Sequence, residues 1–493
     1  MRFPKSMAFA AGLVSATGFA PLDLWPVTIA AFALWMWIVA EASSLRAAMA
    51  RGWWFGLGHF IVGMNWIAGS FRYQETMPVW LGWVAVVALA LYLAVYPAMA
   101  AGLAWRWGRP RRVVYVLIFA AAWIVTEYLR ATLFTGFAWN PLGVILVPTT
   151  GDGLAQLVGT YGLSGLVIVI AGALRHPRRL IAVPAALAGV LGGGWLVIAI
   201  AGDPGRSDRL VRVVQPNIGQ QTKHDESFDE VNWAKLARLT GEPGPQPRLI
   251  LWPEAAVPYF LEEEIWARTR IAGLMGPKDI VLTGGDSFVW DKAGKTIIAA
   301  HNAMFAVTPD SRLLARYDKA HLVPYGEYLP MRPLLSEIGL SRLVPGDLDF
   351  WPGPGPRSIT LPGFGKVGVQ ICYEIIFSGE VIDANNRPDF LFNPSNDSWF
   401  GGWGSPQFVA QARLRAIEEG MPVVRATPTG ISAVIDSNGA ILVALPMGKA
   451  GVIQTTLPRA APPTLFARYG NILPFGFALT LIGFAVALRR RHR

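Results

Sequence analysis

Val367-Gly368-Val369-Gln370-Ile371-Cys372-Tyr373-Glu374 reads as a short buried strand that ends on the only cysteine of the chain. A thiol in that place sits on a sharp turn at the edge of a sheet, with backbone N–H groups close by. A lone thiol is more often a buried, inert one, so its surroundings must decide. With one cysteine no intrachain disulfide is possible, and any thiol chemistry belongs to Cys372.

Outward from this run the same pattern recurs. Apolar runs at Leu210–Gln215, Leu249–Trp252, Ile280–Thr283, Ala303–Val307, Phe390–Asn393, Val423–Arg425 and Ala433–Ile435 read as further strands. Asn232–Leu239, Glu262–Leu274 and Ser405–Glu419 read as helices. The alternation predicts an α/β domain with its sheet covered by helices. No internal repeat is apparent. Pro330–Pro356, rich in Pro and Gly and carrying Leu340, Leu343, Phe350 and Trp351, reads as a long loop or lid.

The rest of the chain has another character. Hydrophobic residues make up 53% of it and charged residues 15%, against about 25% charged in soluble domains. Seven stretches before the α/β part could span a bilayer, at 5–20, 25–41, 50–69, 79–105, 113–130, 159–174 and 180–201, and an eighth lies at 471–488. For the first, a cleaved signal peptide is the alternative, which Pro21 directly after Ala20 disfavours. With the N-terminus inside, the inside segments hold 15 Lys and Arg, including Arg489, Arg490, Arg491 and Arg493 at the end, whereas the outside loops hold only Arg72 and Arg130. That asymmetry puts both termini in the cytoplasm and the α/β domain outside, in the periplasm if this is a bacterial inner membrane. The net charge of +10 gathers at the ends of apolar segments. It therefore reads as an orientation signal and not as a nucleic-acid surface.

A thiol needs a base or a positive neighbour to become a thiolate. Glu254 stands just past a strand in Leu251-Trp252-Pro253-Glu254, where Pro253 ends the ladder and presents the carboxylate. Lys319 lies in Tyr317-Asp318-Lys319-Ala320-His321-Leu322-Val323-Pro324-Tyr325-Gly326-Glu327-Tyr328-Leu329-Pro330. Such dense Gly, Pro and aromatic residues suggest a shaped loop. A lysine there could stabilise both a thiolate and an oxyanion. His321 leaves a Cys–His arrangement open.

Trp252-Pro253-Glu254, Tyr317–Pro330 and Cys372-Tyr373-Glu374, in that order, resemble the Glu, Lys and Cys signatures of the nitrilase superfamily. Asn393-Pro394-Ser395-Asn396-Asp397-Ser398-Trp399-Phe400-Gly401 and Arg425-Ala426-Thr427-Pro428-Thr429-Gly430-Ile431-Ser432 add two longer matches. With the flanking apolar segments they resemble the apolipoprotein N-acyltransferase family over nearly the whole chain. The resemblance implies an αββα sandwich on a multi-pass bundle of eight spanning helices. Residues 1–205 would form the bundle, 206–465 the catalytic domain, and 466–493 the last helix with its basic tail. It implies Glu254 as general base, Lys319 as oxyanion stabiliser and Cys372 as nucleophile, supported by Glu327, Tyr373 and Glu374. Trp139, His224 and Trp399 would be substrate contacts, although His224 stands where the family commonly has Trp, and only Trp139 matches the family's outside loop.

The implied reaction is ping-pong transfer of an acyl chain. The donor would be a phospholipid such as phosphatidylethanolamine, and the acceptor the α-amine of a diacylglyceryl-cysteine on an apolipoprotein. A monomer without metal or cofactor is expected. Apolar loops such as Val257–Leu261 and Leu340–Trp351 would either cover chain carbons or pack on the sandwich. One rival is a membrane-tethered amidase that uses water as acceptor, for which eight spans are more than tethering needs. The other is a non-enzymatic transporter or receptor with a degenerate domain, to which intramembrane charges such as Glu127 and the ionisable His59 would belong.

Overall fold

The computed structural model describes residues 3–73, 77–109, 111–223, 225–337 and 348–490. His224, Leu340, Leu343, Arg491 and Arg493 lie outside the described residues. Among those described, twelve strands form two six-stranded sheets. They are β1 (Arg206–Gln215), β2 (Arg248–Leu251), β3 (Ile280–Trp290), β4 (Ile297–Val307), β5 (Leu313–Asp318), β6 (Ser358–Leu361), β7 (Gly365–Val369), β8 (Phe390–Pro394), β9 (Val423–Ala426), β10 (Ser432–Ile435), β11 (Ile441–Leu445) and β12 (Gly451–Pro458).

One sheet runs β12-β1-β2-β3-β4-β5 and the other β6-β7-β8-β9-β10-β11. In each, the second, third and fourth strands are mutually parallel and the other pairings antiparallel. The two sheets thus repeat one topology that the sequence did not display as a repeat. Alternate residues of a strand face opposite ways. Val211, Val213, Leu249, Leu251 and Leu282 share a core with Val367, Val369, Phe390 and Phe392 of the second sheet. Val214, Ile250, Trp252, Val281 and Phe305 pack instead with Leu236 of helix Asp229–Thr240 and Ile271 of helix Ile265–Ala272. The second sheet is covered by helix Gly401–Glu419, which is buried nearly all round because the bundle lies on its other side.

Among the described residues five helices are long and apolar enough to cross a membrane: Leu81–Gly108, Arg112–Thr135, Thr150–Ala173, Arg179–Ala201 and Ile472–Arg490. Eight were expected, and the difference lies in the first three candidates. Helix Pro4–Ser15 has 12 residues and Trp25–Ala40 has 16. At 1.5 Å per residue these reach only about 18 and about 24 Å, against a hydrocarbon core of about 30 Å. Leu45–Gly63 is longer but carries Arg46, Arg51 and His59. Arg130, counted above as a loop residue, is instead buried near the end of helix Arg112–Thr132, 3.9 Å from Glu127. There its Nη1 donates to the Trp139 carbonyl at 2.8 Å.

Candidate active site

Cys372 opens a short helical turn, Cys372–Ile376, directly beyond β7. Its φ is +49°, a left-handed conformation that costs a residue with a Cβ on the order of 1–3 kcal/mol and persists only where its surroundings hold it. Glu374 does much of this holding. Its Oε2 accepts from Ile371 N at 2.7 Å, and its Oε1 accepts from Tyr317 Oη at 2.9 Å and from Ala320 N at 2.7 Å. The carboxylate therefore ties the Cys turn to the Lys loop. Burial raises its pKa to about 7, against the pull of Lys319 and those N–H groups. On the other side Asn393 Nδ2 donates to the carbonyls of Gln370 and Cys372 at 2.6 and 3.2 Å.

Glu254 follows β2. The turn lies so close to β3 that a Cβ on Gly284 would come within 2.3 Å of Ala255 N, so only glycine fits. Both carboxylate oxygens are aimed: Oε1 accepts from Asn302 Nδ2 and Oε2 from Asn396 N, each at 2.7 Å. Lys319, only 1% exposed, stands 3.8 Å from Glu254 Oε1 and 2.9 Å from Glu327 Oε1. Asn302 Nδ2 also donates to Glu327 at 2.9 Å. Glu327 Oε2 accepts from Val323 N at 2.8 Å, which folds the Lys loop back on itself.

Behind the thiol, Ser395 Oγ contacts Cys372 Sγ at 3.4 Å and Asp397 Oδ1 at 2.8 Å, with a single proton to share between them. Asp397 is paired with the fully buried Arg425, whose guanidinium also bonds Asn393 Oδ1 and lies 4.3 Å over the Phe408 ring.

These charges fix the resting proton positions. Burial, then the charge of Glu254, pushes the Cys372 thiol up, with Lys319 opposing. Burial works against the Lys319 ammonium, but Glu327, Glu254 and Cys372 outweigh it, and its pKa is raised. Those directions favour a neutral thiol beside a charged lysine, so a thiol acting there as nucleophile would have to give up its proton as it attacks. His321 is not placed as the base. Its ring stacks on Phe377 at 3.7 Å, and Nε2 meets the Thr135 carbonyl at 3.0 Å.

The structure thus brings Glu254, Lys319, Cys372, Glu327 and Glu374 together, and sets Tyr373 directly beside the thiol with its ring on Phe377 at 5.2 Å. One of the expected substrate contacts is sealed inside the protein. Trp139 is 1% exposed. It is wedged between bundle and sandwich, 4.5 Å from Trp66 and 5.2 Å from Phe400, with Nε1 donating to Gln407 at 2.8 Å. Trp399 packs edge-on to Tyr73 at 5.7 Å. In the loop Val257–Leu261 the side chains of Val257, Tyr259 and Leu261 belong to the sandwich core, which leaves Phe260 as its large exposed ring. Asn302 was missed altogether, although an amide beside His301 inside an otherwise apolar strand was a signal. Asn396, Ser395, Asp397 and Arg425 lay in segments noted only as matches. The flagged intramembrane groups are engaged structurally. Glu127 Oε1 accepts from Leu142 N at 2.8 Å, and His59 Nδ1 meets Ser15 Oγ at 2.7 Å.

A cysteine on a strand-end turn, with a glutamate and a lysine converging on it between two such sheets, defines a carbon–nitrogen hydrolase domain. Residues 210–461 match the family model of that description, Carbon-nitrogen hydrolase. Residues 11–173 match a second, Apolipoprotein N-acyltransferase N-terminal domain. The apolipoprotein N-acyltransferase of Rhodopseudomonas palustris is 34% identical, over 98% of this chain and 95% of its own length. That of Bradyrhizobium diazoefficiens is 35% identical, over 99% and 94%. The chain belongs to the apolipoprotein N-acyltransferase family.

Proposed function

We propose that this enzyme transfers an acyl chain from a phospholipid, phosphatidylethanolamine in the first instance, to the α-amine of the N-terminal diacylglyceryl-cysteine of an apolipoprotein. Lipoprotein N-acylation is the activity for which its relatives are named. Glu254 takes the thiol proton and Cys372 attacks the ester carbonyl. Lys319 and the N–H at Tyr373 hold the oxyanion. Glu254 returns the proton to the leaving glycerol oxygen, so a lysophospholipid departs and a thioester remains. The acceptor amine then attacks. Its proton passes through Glu254 to the departing sulfur, which leaves an amide and the free thiol.

The observation that carries this reading is the aimed carboxylate: Glu254 is held from both oxygens and lies 3.8 Å from Lys319, beside a neutral thiol. Met331, Leu334 and Trp351, all largely exposed on the loop past the Lys motif, offer apolar surface for chain carbons at about 0.8 kcal/mol per buried CH₂. The proposed arrangement has eight membrane passes, three of them through the N-terminal helices that length and composition alone do not qualify, with residues 1–205 as bundle, 206–465 as catalytic domain and 466–493 as last helix and tail. Both termini are cytoplasmic and the catalytic domain of the monomer faces the periplasm of a bacterial inner membrane, following the basic residues of the loops.

The test is to give purified enzyme phospholipid alone. A stoichiometric burst of lysophospholipid is expected, after which release stops. Continuous release of free fatty acid would identify a hydrolase instead.

A further inference from the structure

The cations around the site are nearly all committed. Lys319 serves Glu327 and Glu254, Arg425 serves Asp397, Arg316 serves Glu262 and Asp318, and Arg332 serves Asp349. Lys223 differs. Its Nζ donates to the backbone carbonyl of Glu254 at 3.3 Å. Among the described residues no carboxylate pairs with it. Burial lowers its pKa against the pull of Glu254, Asp286 and Cys372, and a further anion beside it would hold the ammonium.

Its position is tied to that of the base. The short helix Gln220–Lys223 is held by Asn396 Nδ2, which donates to Gln220 Oε1 at 2.9 Å, and by Asn232 Nδ2, which donates to the Thr222 carbonyl at 2.9 Å. The same Asn396 donates its backbone N–H to Glu254.

We propose that the Lys223 ammonium docks the phosphodiester of the donor lipid, which rests on the phospholipid-donor reading above. A glycerophospholipid whose ester carbonyl reaches Sγ carries its phosphate only a few bonds from the ester oxygen, through the glycerol. In that neighbourhood Lys319 is held by Glu254 and Glu327, and among the described cations named above Lys223 is the one without a carboxylate partner. An ammonium suits a phosphate as a point charge. The diacylglyceryl acceptor has no phosphate. Lys223 therefore serves the first half-reaction and not the second.

The experiment measures acylation of Cys372 by intact mass, using the full-length enzyme in detergent. The donors are dipalmitoyl-phosphatidylethanolamine, dipalmitoylglycerol and p-nitrophenyl palmitate, and the enzymes are wild type, Lys223→Met and Lys223→Arg. With phosphatidylethanolamine, Lys223→Met should raise the half-saturating concentration about tenfold, the loss of one charge-assisted contact, and Lys223→Arg should restore most of it. The two phosphate-free donors should acylate all three proteins alike. Discharge of a thioester preloaded from the nitrophenyl ester, by a diacylated lipopeptide, should also be unaffected. Equal slowing with all three donors, or no change with phosphatidylethanolamine, overturns the Lys223 assignment alone. A wild-type enzyme that takes the nitrophenyl ester but no phospholipid removes the donor assignment, and the Lys223 proposal with it.

Discussion

Two of the buried charge clusters in this protein, one at the thiol and one at the seam where sandwich meets bundle, are balanced differently. At the seam Arg415 pairs with Glu418 at 2.9 Å, one cation to one anion. Glu418 Oε1 also accepts from Thr160 N at 2.6 Å, Thr160 Oγ1 at 2.7 Å and Ser378 Oγ at 2.7 Å. Arg415 Nη1 reaches the Ile376 carbonyl at 3.2 Å. The cluster clamps helix Gly401–Glu419 and the end of the Cys turn to helix Ala155–Ala173. At the thiol, Lys319 faces two carboxylates, Glu254 and Glu327. Glu254, the carboxylate that Lys319 holds less closely, is the one proposed to take the proton from Cys372. The seam's charges hold structure, and the site's charges are proposed to move a proton.

The contrast breaks most sharply at the site. Glu254→Gln removes the proton acceptor, and Lys319→Met removes the cation over the oxyanion. Each should lower thioester formation on the order of 10²–10³-fold or more, read by intact mass; in a melting curve in detergent Glu254→Gln should stay near wild type, whereas Lys319→Met, which leaves two buried carboxylates without their cation, should also lose stability. At the seam the signs reverse. Glu418→Gln leaves Arg415 buried without its anion, which typically costs about 3–5 kcal/mol. The melting temperature should fall, while turnover per folded molecule changes little. A Glu418→Gln protein of normal stability but dead in turnover would erase the distinction. The smallest effect belongs to His321→Ala, which loses the stack on Phe377 and one hydrogen bond to Thr135, about 1–2 kcal/mol of stability. If His321→Ala slowed acylation as much as Lys319→Met, with the protein still folded, a Cys–His mechanism would have to be restored.

What the sequence made legible follows the same physics. The predicted strands include β1 to β4 and β7 to β10, the four interior strands of each sheet. The missed ones, β5, β6, β11 and β12, are the four edges. Interior strands are covered on both faces and read as apolar runs, whereas β11, with four of its five residues exposed, does not. The predicted start of β4 at Ala303 fell one residue short of Asn302 because a polar pair interrupts the run. That interruption is the residue that holds Glu254 and Glu327. Trp139 matched a sequence pattern, yet a tryptophan's large surface serves a buried seam as well as a substrate. Cys372, Glu254 and Lys319 were readable because each stands at a strand end or in a Gly- and Pro-marked loop. Their bracing by Asn302, Asn396 and Asp397 joins segments far apart in the chain.

The central claim is that Cys372 carries the acyl group between two lipids. Its most direct measurement is the mass of the peptide containing Cys372 after incubation with phospholipid, then again after a diacylated lipopeptide is added. The account predicts a stable acyl adduct on Cys372 that is absent in Cys372→Ser. A lipopeptide with a free N-terminus should discharge it to an amide, and an N-acetylated one should not. Amide product formed by the folded Cys372→Ser protein, or an adduct that water discharges as fast as the amine does, would contradict it.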